Sequence, residues 1–113
     1  MQAIPNRART DEPSARIVVP LPRGLPREMV SGYLNDCRKD LPAIHAAVAI
    51  GDYQRAKVFG HQMKGTGGPY GFPSLTRFGS EIEQAAVREN ALELQNQIDQ
   101  LGEYLGRVEL ACE

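Results

Sequence analysis

Metal-ligating and cross-linking residues are scarce in this chain, which has two histidines and two cysteines among 113 residues. Neither His45 nor His61 has a glutamate three residues before it, which excludes the Glu-x-x-His pairs of di-iron bundles. Cys37 and Cys112 have no zinc-type spacing to each other or to a histidine. Both fall on apolar stripes and read as buried thiols of a reducing compartment, not as a disulfide framework. No apolar run approaches transmembrane length, and the N-terminus lacks the apolar centre of a signal peptide. A cytoplasmic protein without a membrane partner is therefore expected. Thirteen Lys and Arg against 14 Asp and Glu leave a net charge of −1. No helix carries a basic stripe, so a nucleic-acid footprint is excluded. Gly65-Thr66-Gly67-Gly68 is too short for a phosphate-binding loop and lacks its lysine, so ATP cannot bind as in a kinase.

What remains has the composition of one soluble globular domain, 42% hydrophobic and 24% charged. Residues 1–25 read as a leader. Its first 16 positions are polar and aperiodic, with Pro5 and Pro13, and are expected to be disordered. Arg16–Arg23 has strand-like composition, but Pro20 and Pro22 forbid a central strand and no second strand is evident, so an extended segment along the domain is expected.

From Pro26, which suits a first helical turn, the apolar period becomes helical. Val30, Tyr33, Cys37, Leu41, Ile44 and Val48 keep three-and-four spacing across Pro42, favouring a kinked helix over a broken one. Asp52 can cap a second helix with the stripe Tyr53, Ala56, Gly60, Met63 and Gly67. Pro69-Tyr70-Gly71 reads as a turn and Pro73 as the first residue of a third helix, with Leu75, Phe78, Ile82 and Ala85 or Ala86 inward. Asn90 can cap a fourth, whose stripe runs Leu94, Ile98, Leu101, Leu105, Val108, Cys112. Short turns between amphipathic helices imply antiparallel neighbours, hence an all-α, up-down four-helix bundle over residues 26–113, expected to be a monomer.

The second helix holds the unusual residues. Projected at about 100° per residue, His61 lies roughly 120° from the centre of its buried stripe. Gly65 shares that outward sector one turn on, where any side chain would crowd the imidazole. An interior glycine costs about 1 kcal/mol against alanine, so the bare turn implies close access for another molecule. Lys64 sits between this sector and the core. Gln54, Lys57, Val58, Gln62 and Gly68 are the expected partner-facing residues. His45 stands beside the apolar stripe of the first helix with no Lys-Gly partner and reads as structural. Near neutral pH an imidazole is substantially uncharged and nucleophilic, and nearby ammonium groups can offset the charge of a transferred anion.

His61-Gln62-Met63-Lys64-Gly65-Thr66-Gly67-Gly68, followed by Gly71, resembles the signature of histidine-containing phosphotransfer (Hpt) domains of multistep phosphorelays. That pattern is His, any residue, an apolar residue, Lys-Gly, small residues and a later glycine. The likeness takes in Gly51-Asp52-Tyr53 upstream and Leu75, Phe78 and the Ile82-Glu83-Gln84-Ala85-Ala86 run downstream, covering roughly residues 26–112. Met63 replaces the commoner leucine, and Pro69 ends the helix within a turn or two of His61.

The resemblance implies a phosphoryl carrier without a kinase site, with His61 as nucleophile through Nε2, Lys64 as electrostatic support and Gly65 as the access device. It implies response-regulator receiver domains as partners, with a hybrid sensor kinase as a further one. No intrinsic cofactor is expected, the Mg²⁺ belonging to the receiver. The alternative is a helical adaptor that binds a receiver or sensor kinase without being phosphorylated; it would need neither the nucleophile nor the bare turn.

Overall fold

The computed structural model describes residues 15–111. Of the disorder expected over residues 1–16, all but Ala15 and Arg16 lies outside them, as does Cys112 on the last stripe. Among the described residues the chain forms β1 (Ile17–Val19), α1 (Arg27–Ala49), α2 (Tyr53–Thr66), α3 (Pro73–Val87), α4 (Ala91–Arg107) and β2 (Val108–Leu110). Each helix packs on its neighbours in sequence, α1 also packs on α4, and α2 and α3 make the most extensive contact. This is the expected four-helix bundle. None of its helices is long and apolar enough to cross a membrane.

The local signals act as their chemistry predicts. Asp52 accepts the backbone N–H of Arg55 at 3.1 Å and Asn90 accepts that of Glu93 at 3.1 Å, each satisfying a donor that the first helical turn leaves free. Pro73 opens α3. Val30, Ile82, Leu94, Ile98 and Leu101 are fully buried along the bundle axis. α1 runs unbroken through Pro42, whose ring is exposed while Ile44, Ala47 and Val48 keep the inward face. Pro26 stands one place earlier than expected, as the N-cap residue of α1.

The ends of the bundle differ from the sequence reading. α4 was expected to carry its stripe through Val108, but the helix stops at Arg107 and Val108 opens β2. A second strand therefore exists, and β1 pairs with it in parallel, Ile17 opposite Val108 and Val19 opposite Leu110. Pro20 and Pro22 follow the paired residues and so remove no ladder donor. Within β2 the burial alternates, Val108 and Leu110 inward around a half-buried Glu109, so a period of two takes over from the helical one.

Arg38 fixes this change of course. Its guanidinium donates to the carbonyls of Leu105 at 3.0 Å and Val108 at 2.8 Å, occupying acceptors that a continuing helix would need. Arg38→Ala is expected to lower stability by about 2 kcal/mol, the range for hydrogen bonds from a charged donor. Urea denaturation of both proteins would measure it. After β1 the chain crosses the turn between α2 and α3, where Gly71 has φ +93° and a Cβ would run into the Pro22 ring.

Candidate functional site

Burial of Ala56, Gly60 and Met63 on one face of α2 turns His61 outward, and its side chain is 68% exposed. α2 ends at Thr66 with Gly67 as its cap, so His61 lies in the last two turns of a short helix. Across from it on α3 stands Glu83, only 17% exposed. One Glu83 oxygen, Oε2, lies 3.0 Å from His61 Nδ1, and the other, Oε1, lies 2.7 Å from Lys64 Nζ. An ionised carboxylate only accepts, so the proton of a neutral His61 ring sits on Nδ1 and the lone pair on Nε2. Nε2 has no hydrogen-bond partner among the described residues.

The hydrogen bond from the Lys64 ammonium, helped by that from His61, holds the Glu83 carboxyl below the usual carboxylate range, against the partial desolvation that pushes it up. The acceptor for Nδ1–H is therefore ionised throughout the neutral range. The sequence places Lys64 between the exposed sector and the core. It is indeed partly exposed, but its ammonium is engaged by Glu83.

A surface hollow of about 320 Å³ opens at His61, lined also by Glu83, Lys57, Val58 and Gln62. Gln62 borders a second hollow of about 370 Å³ between α1 and α2, where Tyr33, Cys37 and Phe59 contribute apolar wall. Gln54 and Gly68 are exposed but do not line the hollow at His61. The N–H of Gly68 donates instead to the Thr76 hydroxyl at 2.8 Å. A Cβ built on Gly65 would meet nothing within 4 Å, so the fold itself does not require glycine there. His45 is half-buried on α1 and lines neither hollow.

Glu83 is the site residue that sequence reasoning missed. It lies 22 positions from His61, on the next helix, inside a run that served only as general likeness. A usable signal was present one turn earlier. Gly79, in a stripe otherwise made of Leu75, Phe78 and Ile82, marks a close helix approach and so places the next turn of α3 against α2. Among the described residues no three His, Cys, Asp or Glu side chains gather where they could hold a metal ion. The arrangement provides a solvent-facing ring nitrogen with its lone pair free, backed by a fixed proton on the opposite nitrogen. Such a ring can take up a small electrophile without first losing a proton. The family model described as the Hpt domain matches residues 28–111, from the first turn of α1 to just beyond β2. No curated protein and no solved structure matches the chain.

Proposed function

The chain belongs to the Hpt domain family, and from that premise we propose that it carries a phosphoryl group on His61 between the receiver domains of a phosphorelay. A histidine phosphotransfer role in two-component signalling comes with the family; the phosphorylated atom and the partners are our reading. The observation that supports it best is the Nδ1–H···Oε2 hydrogen bond to Glu83, which leaves Nε2 as the nucleophile. We place this carrier in the cytoplasm, as a monomer.

In the proposed step, Nε2 attacks the phosphorus of a receiver's aspartyl phosphate. The N–P bond forms as the acyl O–P bond breaks, and the bonding pair leaves on the aspartate carboxylate. Nδ1 keeps its proton, so the phosphorylated ring is an imidazolium whose charge Glu83 balances. In the onward step an acceptor carboxylate attacks the phosphorus and the N–P pair returns to the ring. The held proton makes the ring a good leaving group. Positioning and electrostatics do most of the work in such transfers, and the receiver supplies the Mg²⁺.

Incubation with a phosphorylated receiver, followed by detection of acid-labile, base-stable phosphate on this chain, tests the reading. Receiver binding without any such phosphate would favour the adaptor instead. Lys64 gives a graded test. Removing its ammonium frees Glu83 Oε1 and takes away a positive charge near the phosphoryl group, so Lys64→Ala should slow single-turnover transfer by roughly tenfold with little loss of stability. Added salt should slow the wild type more than the variant, because exposed charges are screened over about 10 Å at 0.1 M. Equal rates with parallel salt dependence would remove Lys64 from the mechanism.

A further inference from the structure

The distance from Glu83 to His61 is set by the backbones of the two helices, and the contact between them contains no side chain at its centre. A Cβ on Gly60 of α2 would lie 2.6 Å from the backbone nitrogen of Glu83 and 2.8 Å from the carbonyl oxygen of Gly79. Reciprocally, a Cβ on Gly79 of α3 would lie 2.7 Å from the carbonyl oxygen of Gly60 and would overlap the backbone nitrogen of Lys64. Gly60 thus seats on the turn of α3 that carries Glu83. Gly79 seats on the turn of α2 that carries His61 and Lys64. Every obstacle is backbone, so an added methyl cannot be absorbed by turning a side chain; the helices must move apart.

We infer that Gly60 and Gly79 are positioning residues for phosphotransfer: their mutual contact brings α2 and α3 close enough for one carboxylate to hold both the Nδ1 proton of His61 and the Lys64 ammonium. The inference rests on His61 being the phosphoryl acceptor, but it makes a separate claim about the ring itself. With the helices at this separation Glu83 spans to His61 at 3.0 Å and to Lys64 at 2.7 Å. Hydrogen bonds weaken steeply once the donor–acceptor distance leaves the normal range, so a widening of a few tenths of an ångström loosens both. Glu83 then ceases to select the Nδ1–H tautomer, because the bond made by one ring nitrogen is what fixes the proton on it. Neither glycine is exposed, so neither change adds a side chain to the surface that a partner meets.

The test is ¹⁵N NMR of the histidine ring in the full chain, combined with single-turnover transfer from a phosphorylated receiver. The wild type should show His61 mainly as the Nδ1–H tautomer. In Gly79→Ala, and likewise in Gly60→Ala, that tautomer should fall below half, with transfer slowed roughly tenfold to a hundredfold, the scale of a misplaced reacting group. Gly106→Ala makes the same change at an exposed site where a Cβ meets nothing within 4 Å, and should leave tautomer and transfer unchanged. Should the spacing variants fail to fold, Glu83→Asp withdraws the carboxylate by one methylene from the opposite side without entering the contact, and should produce the same loss of tautomer. A folded Gly79→Ala that keeps the Nδ1–H tautomer, or a Glu83→Asp that keeps both tautomer and rate, overturns the inference. Because the tautomer is read without any phosphate, a wild-type chain that shows Nδ1–H but takes up no phosphate contradicts the proposed function and leaves the spacing result standing.

Discussion

His61→Gln is expected to take up no phosphate from a phosphorylated receiver, while its melting temperature stays within about 4 °C of the wild type. The fold should survive because the side chain is 68% exposed and its one hydrogen bond among the described residues goes to a carboxylate that keeps Lys64 at 2.7 Å. The glutamine amide can also donate to Glu83. What it cannot supply is a nucleophilic lone pair, since its nitrogen is delocalised into the carbonyl. Loss of uptake is therefore all-or-none, unlike the graded loss at Lys64. His45→Gln, which changes the other histidine on α1, should transfer at the wild-type rate. A folded His61→Gln that still gains acid-labile phosphate would mean that the nucleophile lies elsewhere.

Gly65→Leu is expected to fold as well as the wild type or better, yet to lose receiver affinity by roughly a hundredfold. The first half follows from two observations. A Cβ at Gly65 meets no atom within 4 Å, and glycine is a worse helix former than leucine, by up to about 1 kcal/mol in a helix interior and by less at the penultimate residue of α2. The second half follows from place. Residue 65 stands one turn beyond His61 on the same exposed face, so an isobutyl group there occupies the approach to Nε2. Titration calorimetry separates this variant from His61→Gln, which should bind a receiver and accept nothing. Unchanged affinity and transfer for Gly65→Leu would mean that the bare turn serves no access.

How much of this was legible depends on the range over which each signal acts. Helix starts are decided within four residues, which is why Asp52, Pro73 and Asn90 marked α2, α3 and α4 correctly. The inward faces follow from periodicity alone, and Ala56, Met63, Leu75, Ile98 and Leu101 are buried as their spacing requires. The strands were different. Three residues are too few to establish a period of two, and the partners Ile17 and Val108 are far apart in the sequence. Val108 also fits the apolar stripe of α4, so only tertiary contacts, the Arg38 guanidinium on the last carbonyls and the pairing of Val108–Leu110 with β1, settle where that helix stops. Glu83 went unread for a related reason. Its importance lies in a distance across two helices, and that distance is written in the glycines Gly60 and Gly79, not in any motif around the carboxylate.

The parallel pairing of β1 with β2 determines how the domain answers a pull. In a parallel pair the chain enters along one strand and leaves along the other in the same sense, so tension on the two ends drives the strands past each other along their length. The force then falls across the hydrogen bonds together, including the Ala111 N–H to Val19 carbonyl bond at 2.9 Å, and does not peel them singly from one end. An antiparallel pair joining the same ends would unzip one rung at a time. The Arg27 guanidinium, donating to the carbonyl of Ala111, ties the same rungs to the first turn of α1. Mechanical load arriving through flanking chain is therefore borne at the strand clamp before it reaches α2 and α3, and the spacing that holds Glu83 against His61 is the last part of the bundle to feel it.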